Sequence, residues 1–148
     1  MLPRFQHILV PLDFSSKNRM ALDVAFELAS QNRARTSLLH VVERIETSPD
    51  DEDSVDRELE EFYGQLEARA ESELESVSQR FEAAGLDVEY KVWRGKRVHE
   101  IVKFSRDRDV DLVVLSSHPV DADQPVKSLT TVSYQVSILC ACPVLMVK

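Results

Sequence analysis

The chain has 148 residues, of which 43% are apolar and 30% are charged, and this is the size and composition of one globular domain with its own core. No apolar run approaches the roughly 20 residues that cross a bilayer, and the first residues lack the basic and then apolar regions of a signal peptide, so we expect a cytoplasmic protein. A net charge of −8 at pH 7 argues against nucleic acid or a membrane as a partner, because such binding needs clustered Lys and Arg.

The first part of the chain alternates a strand, a helix and a second strand. Residues Phe5–Asp13 are mostly apolar without strict alternation, which is typical of a parallel strand buried on both faces. Ser15 or Ser16 is expected to cap the following helix, whose apolar residues recur at spacings of three and four. The second predicted strand runs over Thr36–Val42.

A long helix and an edge strand are predicted in the middle of the chain. The acidic stretch over residues 49–61 is typical of a solvated helix start, where the helix dipole favours carboxylates. The apolar stripe that follows it ends at Gly85, a natural C-cap. Residues Leu86–Trp93 alternate between apolar and polar, which predicts a half-exposed strand at the edge of a sheet.

The last part of the chain adds two more pairs of a helix and a strand. Gly95 turns the chain into a helix, Leu112–Leu115 form the fourth strand, and Pro143–Val147 form the fifth. Five strands that alternate with four helices predict one α/β domain over residues 1–148. We expect a doubly wound parallel sheet with right-handed crossovers and helices on both faces.

A polar loop follows the fourth strand, beginning with Ser116–His118. Open α/β sheets place their ligands between a strand end and the next helix, because exposed N–H groups there attract anions. Ser128, Thr130 and Thr131 offer N-cap oxygens for that helix. The loop contains no glycine, although a phosphate cradle of backbone N–H groups usually needs one. The loop therefore lies where a nucleotide would bind but lacks the residues that hold its phosphates.

No catalytic or metal-binding pattern is recognisable in the sequence. Asp13 could be a catalytic carboxylate, but an Asx-type cap between strand and helix, or a vestigial nucleotide ligand, is favoured over catalysis. His40 and His118 form no triad with a serine, and no metal-ligand spacing joins the histidines, so we expect neither an enzyme nor a metal site. Cys140 and Cys142 are too close for an unstrained bridge, which favours buried thiols and leaves a redox role open.

Several segments, in this order, resemble the universal stress protein family. They are Ile8–Ser15, Leu38–Val42, Asp111–Leu115 and the closing Cys142–Val147. The resemblance covers nearly the whole chain. It implies a Rossmann-like sheet of the adenine nucleotide alpha hydrolase type, in strand order 3-2-1-4-5, with strands one and four at the switch point. It also implies a dimer and no secure catalytic activity.

The family contains members that bind ATP and members that do not, and this chain matches only the adenosine half of the binding site. Asp13 matches the aspartate that contacts the ribose, and Val41 or Val42 matches the valine that contacts the adenine. The resemblance therefore implies a degenerate nucleotide crevice, with His118 also within its reach.

The phosphate half of the family's site departs from its glycine pattern. The first glycine aligns with Ser116, the second with Pro119 and the third with Thr130, and only Thr131 keeps its residue type. Proline cannot donate a backbone hydrogen bond. The sequence therefore predicts no bound cofactor, while it allows weak binding of an adenine nucleotide.

The resulting functional prediction is a non-catalytic regulatory stress protein of the branch that does not bind ATP tightly. It would act as a homodimer and through a protein partner that the sequence does not identify. The alternatives are a sensor that binds ATP or AMP, and an enzyme such as a weak phosphohydrolase. The dimer is predicted to form through the apolar fifth strand, because bare apolar edges invite pairing; its residues are Pro143, Val144, Leu145, Met146 and Val147.

Overall fold

A computed structural model describes residues 4–44, 54–117, 122–124, 126 and 131–148. The strands are β1 (His7–Pro11), β2 (Arg35–Glu43), β3 (Val88–Gly95), β4 (Leu112–Ser116) and β5 (Val144–Val147). The helices with described bounds are α1 (Asn18–Asn32), α2 (Ser54–Ala83), α3 (Arg97–Asp107) and α4 (Val132–Leu139). Among these described helices, none is long and apolar enough to cross a membrane.

The five strands form one sheet in the order β3-β2-β1-β4-β5, and all neighbouring strands are parallel. Helices α1 and α2 pack on one face of the sheet, where Ala21, Ala25 and Leu74 are buried. Helices α3 and α4 pack on the other face through Ile101 and Val136. The predicted doubly wound sheet, its strand order and its two helical layers are confirmed.

The predicted cap of α1 and the predicted start of β3 are wrong. Neither Ser15 nor Ser16 caps α1 with its side chain, because the helix begins at Asn18 and its N-cap residue, Lys17, makes no side-chain capping bond. Strand β3 begins at Val88 rather than at Leu86, since the Leu86 N–H is still bonded to a carbonyl in the last turn of α2.

Other predictions about local structure are confirmed. Gly85 adopts a φ of 74°, the left-handed conformation that ends a helix. Strand β3 lies at the sheet edge with every residue half-buried. The acidic stretch lies outside the described residues up to residue 53, and α2 begins within it at Ser54.

The amino ends of three strands are tied together by polar contacts. The Asp111 carboxylate accepts hydrogen bonds from the N–H groups of Gln6 and His7, at 2.7 and 3.0 Å. The His7 ring contacts the Arg108 carbonyl at 2.9 Å and the Ser37 hydroxyl at 2.7 Å. These contacts fix one end of the sheet and leave its carboxyl end as the place for a site.

The packing of the long helix α2 should depend on Phe81, which is fully buried and contacts the Phe26 ring of α1 edge-on. Phe81→Ala should lower the free energy of unfolding by about 3–5 kcal/mol, because it leaves a cavity in a packed core. Urea denaturation measures this. Phe62→Ala on the same helix removes a side chain that is 48% exposed, so its effect should stay within about 0.5 kcal/mol. Equal losses in the two variants would contradict the described packing of α2.

Candidate functional site

A cavity of about 330 Å³ opens at the carboxyl ends of β1 and β4, where the strand order reverses. Parallel α/β sheets bind ligands at this switch point. We call this cavity the cleft. Its apolar floor consists of Leu39, Val41, Ile101, Leu115 and Val132. Its polar wall consists of Asp13, Ser15, Lys17, Asn18, Arg97, Ser116, Ser117, Thr131 and Ser133.

The side chain of Asn18 bridges the two strands that flank the cleft. Its Oδ1 accepts hydrogen bonds from the N–H groups of Asp13 and Phe14, at 2.9 and 2.8 Å, and its Nδ2 donates to Ser116 Oγ at 2.8 Å. Asn18 is only 5% exposed. A buried amide with three satisfied hydrogen bonds is held firmly in place, because breaking those bonds would leave buried polar groups without partners. The bridge therefore fixes the loop after β1 against the end of β4.

Asp13 lies at the mouth of the cleft, where its carboxylate both caps the turn after β1 and carries a charge. Its Oδ1 accepts a hydrogen bond from the Ser15 N–H at 2.9 Å, which confirms the Asx-type cap. Burial acts to raise the pKa of Asp13, but the hydrogen bonds from Ser15 and the charge of Arg97 outweigh it and lower the pKa below its usual value. Asp13 is therefore an ionised acceptor at neutral pH, suited to sugar hydroxyl groups.

The wall formed by β4 and α4 presents hydroxyl groups. Thr131 caps α4, with its Oγ1 accepting from the Tyr134 N–H at 3.3 Å, so the N-cap predicted for this residue is confirmed. Ser133 Oγ donates to Ser117 Oγ at 3.3 Å. The backbone N–H of Ser117 donates to the Val147 carbonyl at 2.8 Å, so it is not available to a phosphate.

The predicted site residues fall into three groups. Asp13, Val41, Ser116 and Thr131 line the cleft together. Val42 lines a neighbouring cavity of about 390 Å³ instead, because successive residues of a strand face opposite sides of the sheet. His118 and Thr130 lie outside the described residues, as do Pro119 and Ser128.

Asn18 and Arg97 line the cleft but were not predicted. Asn18 falls on the buried face of α1, three residues before Ala21 and seven before Ala25. A polar residue at a core position of a helix is a signal that could have identified it. Arg97 begins α3, and no sequence pattern distinguishes it from a surface arginine.

The cysteines lie away from the cleft, between α4 and β5. Both are free and half-buried, so the prediction of buried thiols is wrong in degree: they pack against the core as partly buried residues next to the edge strand β5. Burial and the neighbouring Cys140 raise the pKa of Cys142. No group of three or more His, Cys, Asp or Glu in the described part of the chain could hold a metal ion.

Comparison with known proteins identifies close similarity over the whole chain. The sequence model of the universal stress protein family matches residues 4–148. Universal stress protein YxiE of Bacillus subtilis is 28% identical, in an alignment that covers 97% of this chain and 99% of that protein. Universal stress protein MJ0577 of Methanocaldococcus jannaschii is 27% identical over 125 residues, which are 77% of each chain.

Solved structures show the same fold. The universal stress protein UspA from Lactobacillus plantarum superposes with a TM-score of 0.84 at 21% identity, covering 99% of this chain and 100% of that one. The structure of MJ0577 superposes with a TM-score of 0.81 at 27% identity, covering 99% and 97% of the two chains.

The Asn18 bridge predicts a loss of stability on truncation. Asn18→Ala leaves the N–H groups of Asp13 and Phe14 without their acceptor, which should cost about 1–3 kcal/mol and speed hydrogen exchange at the Phe14 amide. Guanidinium unfolding and amide exchange measure the two effects. The control is Gln31→Ala, which removes an exposed amide from the same helix. If both variants are as stable as the parent chain, the bridge contributes nothing.

Proposed function

The chain belongs to the universal stress protein family, and we propose that it is a non-catalytic regulatory member whose cleft takes adenosine or AMP weakly and does not bind ATP tightly. The observation that carries the proposal is the Asn18 bridge, together with the Ser117 N–H bonded to β5. Both interactions occupy polar groups that lie where a triphosphate would need hydrogen-bond donors.

The loop after β4 contains no glycine, and this supports the proposal that ATP does not bind tightly. A phosphate approaches backbone N–H groups closely where glycine leaves room for it. Here Ser116 carries a side chain, and its hydroxyl is held by Asn18. In the sequence, Pro119 further removes one N–H donor.

The adenosine half of the cleft supports a weak nucleoside ligand. Asp13 offers an ionised carboxylate and Val41 an apolar wall, and the cleft also contains the cations Lys17 and Arg97. Two universal stress protein structures of the same fold were solved with a mononucleotide: one in complex with cAMP, with a TM-score of 0.74, and one from Archaeoglobus fulgidus in complex with dAMP, with a TM-score of 0.63. We therefore propose that this cleft also binds a ligand with a single phosphate.

The polar groups of the cleft support a non-catalytic role. A hydrolase needs a nucleophile next to a base that is itself oriented. Among the described residues that line the cleft there is no histidine or cysteine, and the hydroxyl of Ser116 contacts an amide rather than a base.

Calorimetry should separate AMP from ATP. We expect Mg-ATP to bind with a Kd no tighter than about 100 μM, or about −5.5 kcal/mol, since each missing charge-assisted hydrogen bond costs about 1.5–3 kcal/mol. AMP should bind at least as well as ATP, and Asp13→Ala should remove its signal. A micromolar Kd for Mg-ATP, or ATP that copurifies with the protein, would overturn the proposal in favour of an ATP sensor.

We further propose that the protein forms a homodimer through β5. This strand lies at the sheet edge, and its Leu145 and Met146 are 40% and 37% exposed. Ile138 and Leu139 on α4, the helix that precedes this strand, are 61% and 60% exposed. A bare apolar edge with further apolar side chains nearby favours pairing with a second copy of the same strand.

Charged substitutions on β5 should give monomers. Leu145→Arg combined with Met146→Arg should halve the mass measured by light scattering, because two arginines would be buried opposite their symmetry mates. Both side chains are exposed in the protomer, so the fold should survive. Phe62→Arg on α2 is the control, because Phe62 is 48% exposed and its helix precedes β3, at the opposite edge of the sheet from β5. A double variant that remains a folded dimer would place the interface elsewhere.

A further inference from the structure

We infer that Arg97 joins the cleft to the second cavity, and that the two cavities together bind a dinucleotide, in which a phosphate links two nucleosides. The inference rests on the proposed function, because the first nucleoside would occupy the cleft as described. It adds a second site for a nucleobase ring and a residue that binds the phosphate between the two nucleosides.

The two cavities are neighbours over the carboxyl end of β2. The cleft has about 330 Å³ and the second cavity about 390 Å³, each at the lower end of the roughly 300–1,000 Å³ of small-molecule sites. Val41 and Arg97 line both of them. A ligand that passes from one cavity to the other must therefore pass these two side chains.

Arg97 has the properties of a phosphate-binding residue at the place where the two cavities meet. It is half-buried, and its side chain donates no hydrogen bond to any residue within the described ranges. The charge of Asp13 lies close enough to interact with it, and both side chains line the cleft. Arginine presents a planar fork of donors that matches two phosphate oxygens.

The second cavity offers aromatic and apolar surface to a flat ring, and the charged side chains of Glu43, Arg69 and Glu73 also line it. The Phe14 and His40 rings stack with centroids 4.5 Å apart and planes at 30°, and Leu66 and Val42 add apolar surface. His40 Nδ1 lies 2.7 Å from the Leu12 carbonyl, which can only accept, so Nδ1 carries the proton. In the neutral ring Nε2 is then an acceptor, suited to the amino group of a nucleobase.

The Asn18 bridge positions this second ring site as well. Phe14 adopts a φ of 63°, a left-handed conformation that is strained for a phenylalanine. Its N–H is held by Asn18 Oδ1 at 2.8 Å, and this conformation places the ring against His40. One buried side chain therefore orders the walls of both cavities.

The test compares adenosine, AMP and adenylyl-(3′→5′)-adenosine, which has one phosphodiester between two adenosines, by calorimetry on the full chain. The dinucleotide should bind with one copy per chain and at least about tenfold more tightly than AMP, because the second ring binds as part of the same ligand. Arg97→Gln should weaken AMP and the dinucleotide by about 10-fold or more and leave adenosine unchanged. Leu66→Ala should weaken only the dinucleotide.

Arg106→Gln is the matched control, since this exposed arginine lies on the same helix and pairs only with Asp107 among the described residues. It should change none of the three affinities. If the dinucleotide binds no more tightly than AMP, or if Arg97→Gln leaves both unchanged, the inference is wrong while the proposed function stands. If AMP and adenosine do not bind either, both are wrong. A ten-residue oligoadenylate that binds far more tightly than the dinucleotide would overturn the inference in favour of a single-stranded RNA ligand.

Discussion

The cleft depends on the side-chain amide of Asn18, because its hydrogen bonds join the two strands at the switch point of the sheet. It satisfies two N–H groups after β1 and one hydroxyl at the end of β4. A glycine loop would instead leave backbone donors open to phosphate. In the function that we propose, the fold keeps its nucleoside pocket while the loop after β4 lacks the glycines of a phosphate cradle.

The two ends of the sheet are held by different chemistry. At the amino end, Asp111 and His7 tie three strands together through hydrogen bonds. At the carboxyl end, Asn18 leaves a cavity with one acid, Asp13, and two bases, Lys17 and Arg97. In the function that we propose, this pair of cations suits a ligand with one phosphate group, because the further phosphates of ATP would need further donors. The hydrogen bonds of Asp111 and His7 thus fix the amino end of the sheet, and the cleft with its two cations and one carboxylate lies at the carboxyl end.

Much of the fold could be predicted from the sequence, because buried parallel strands and amphipathic helices leave patterns in the order of apolar residues. The edge position of β3 follows from its alternation, and the end of α2 follows from Gly85. The start of α1 was missed, because a helix can begin without a side-chain cap. Asp13 and Val41 were placed in the site by resemblance. Asn18 and Arg97 were not, because their roles arise only when the loop after β1 meets β4 and α3 in space.

The most direct measurement is a ¹⁵N–¹H NMR titration with AMP that follows the side-chain amide of Asn18 and the backbone amides of Asp13, Phe14 and Val41. If the cleft binds a mononucleotide while the bridge stays closed, all four signals should shift and saturate together. The Asn18 amide protons should remain protected from exchange at every AMP concentration. Shifts confined to residues outside the cleft, or loss of Asn18 protection as AMP binds, would contradict the account.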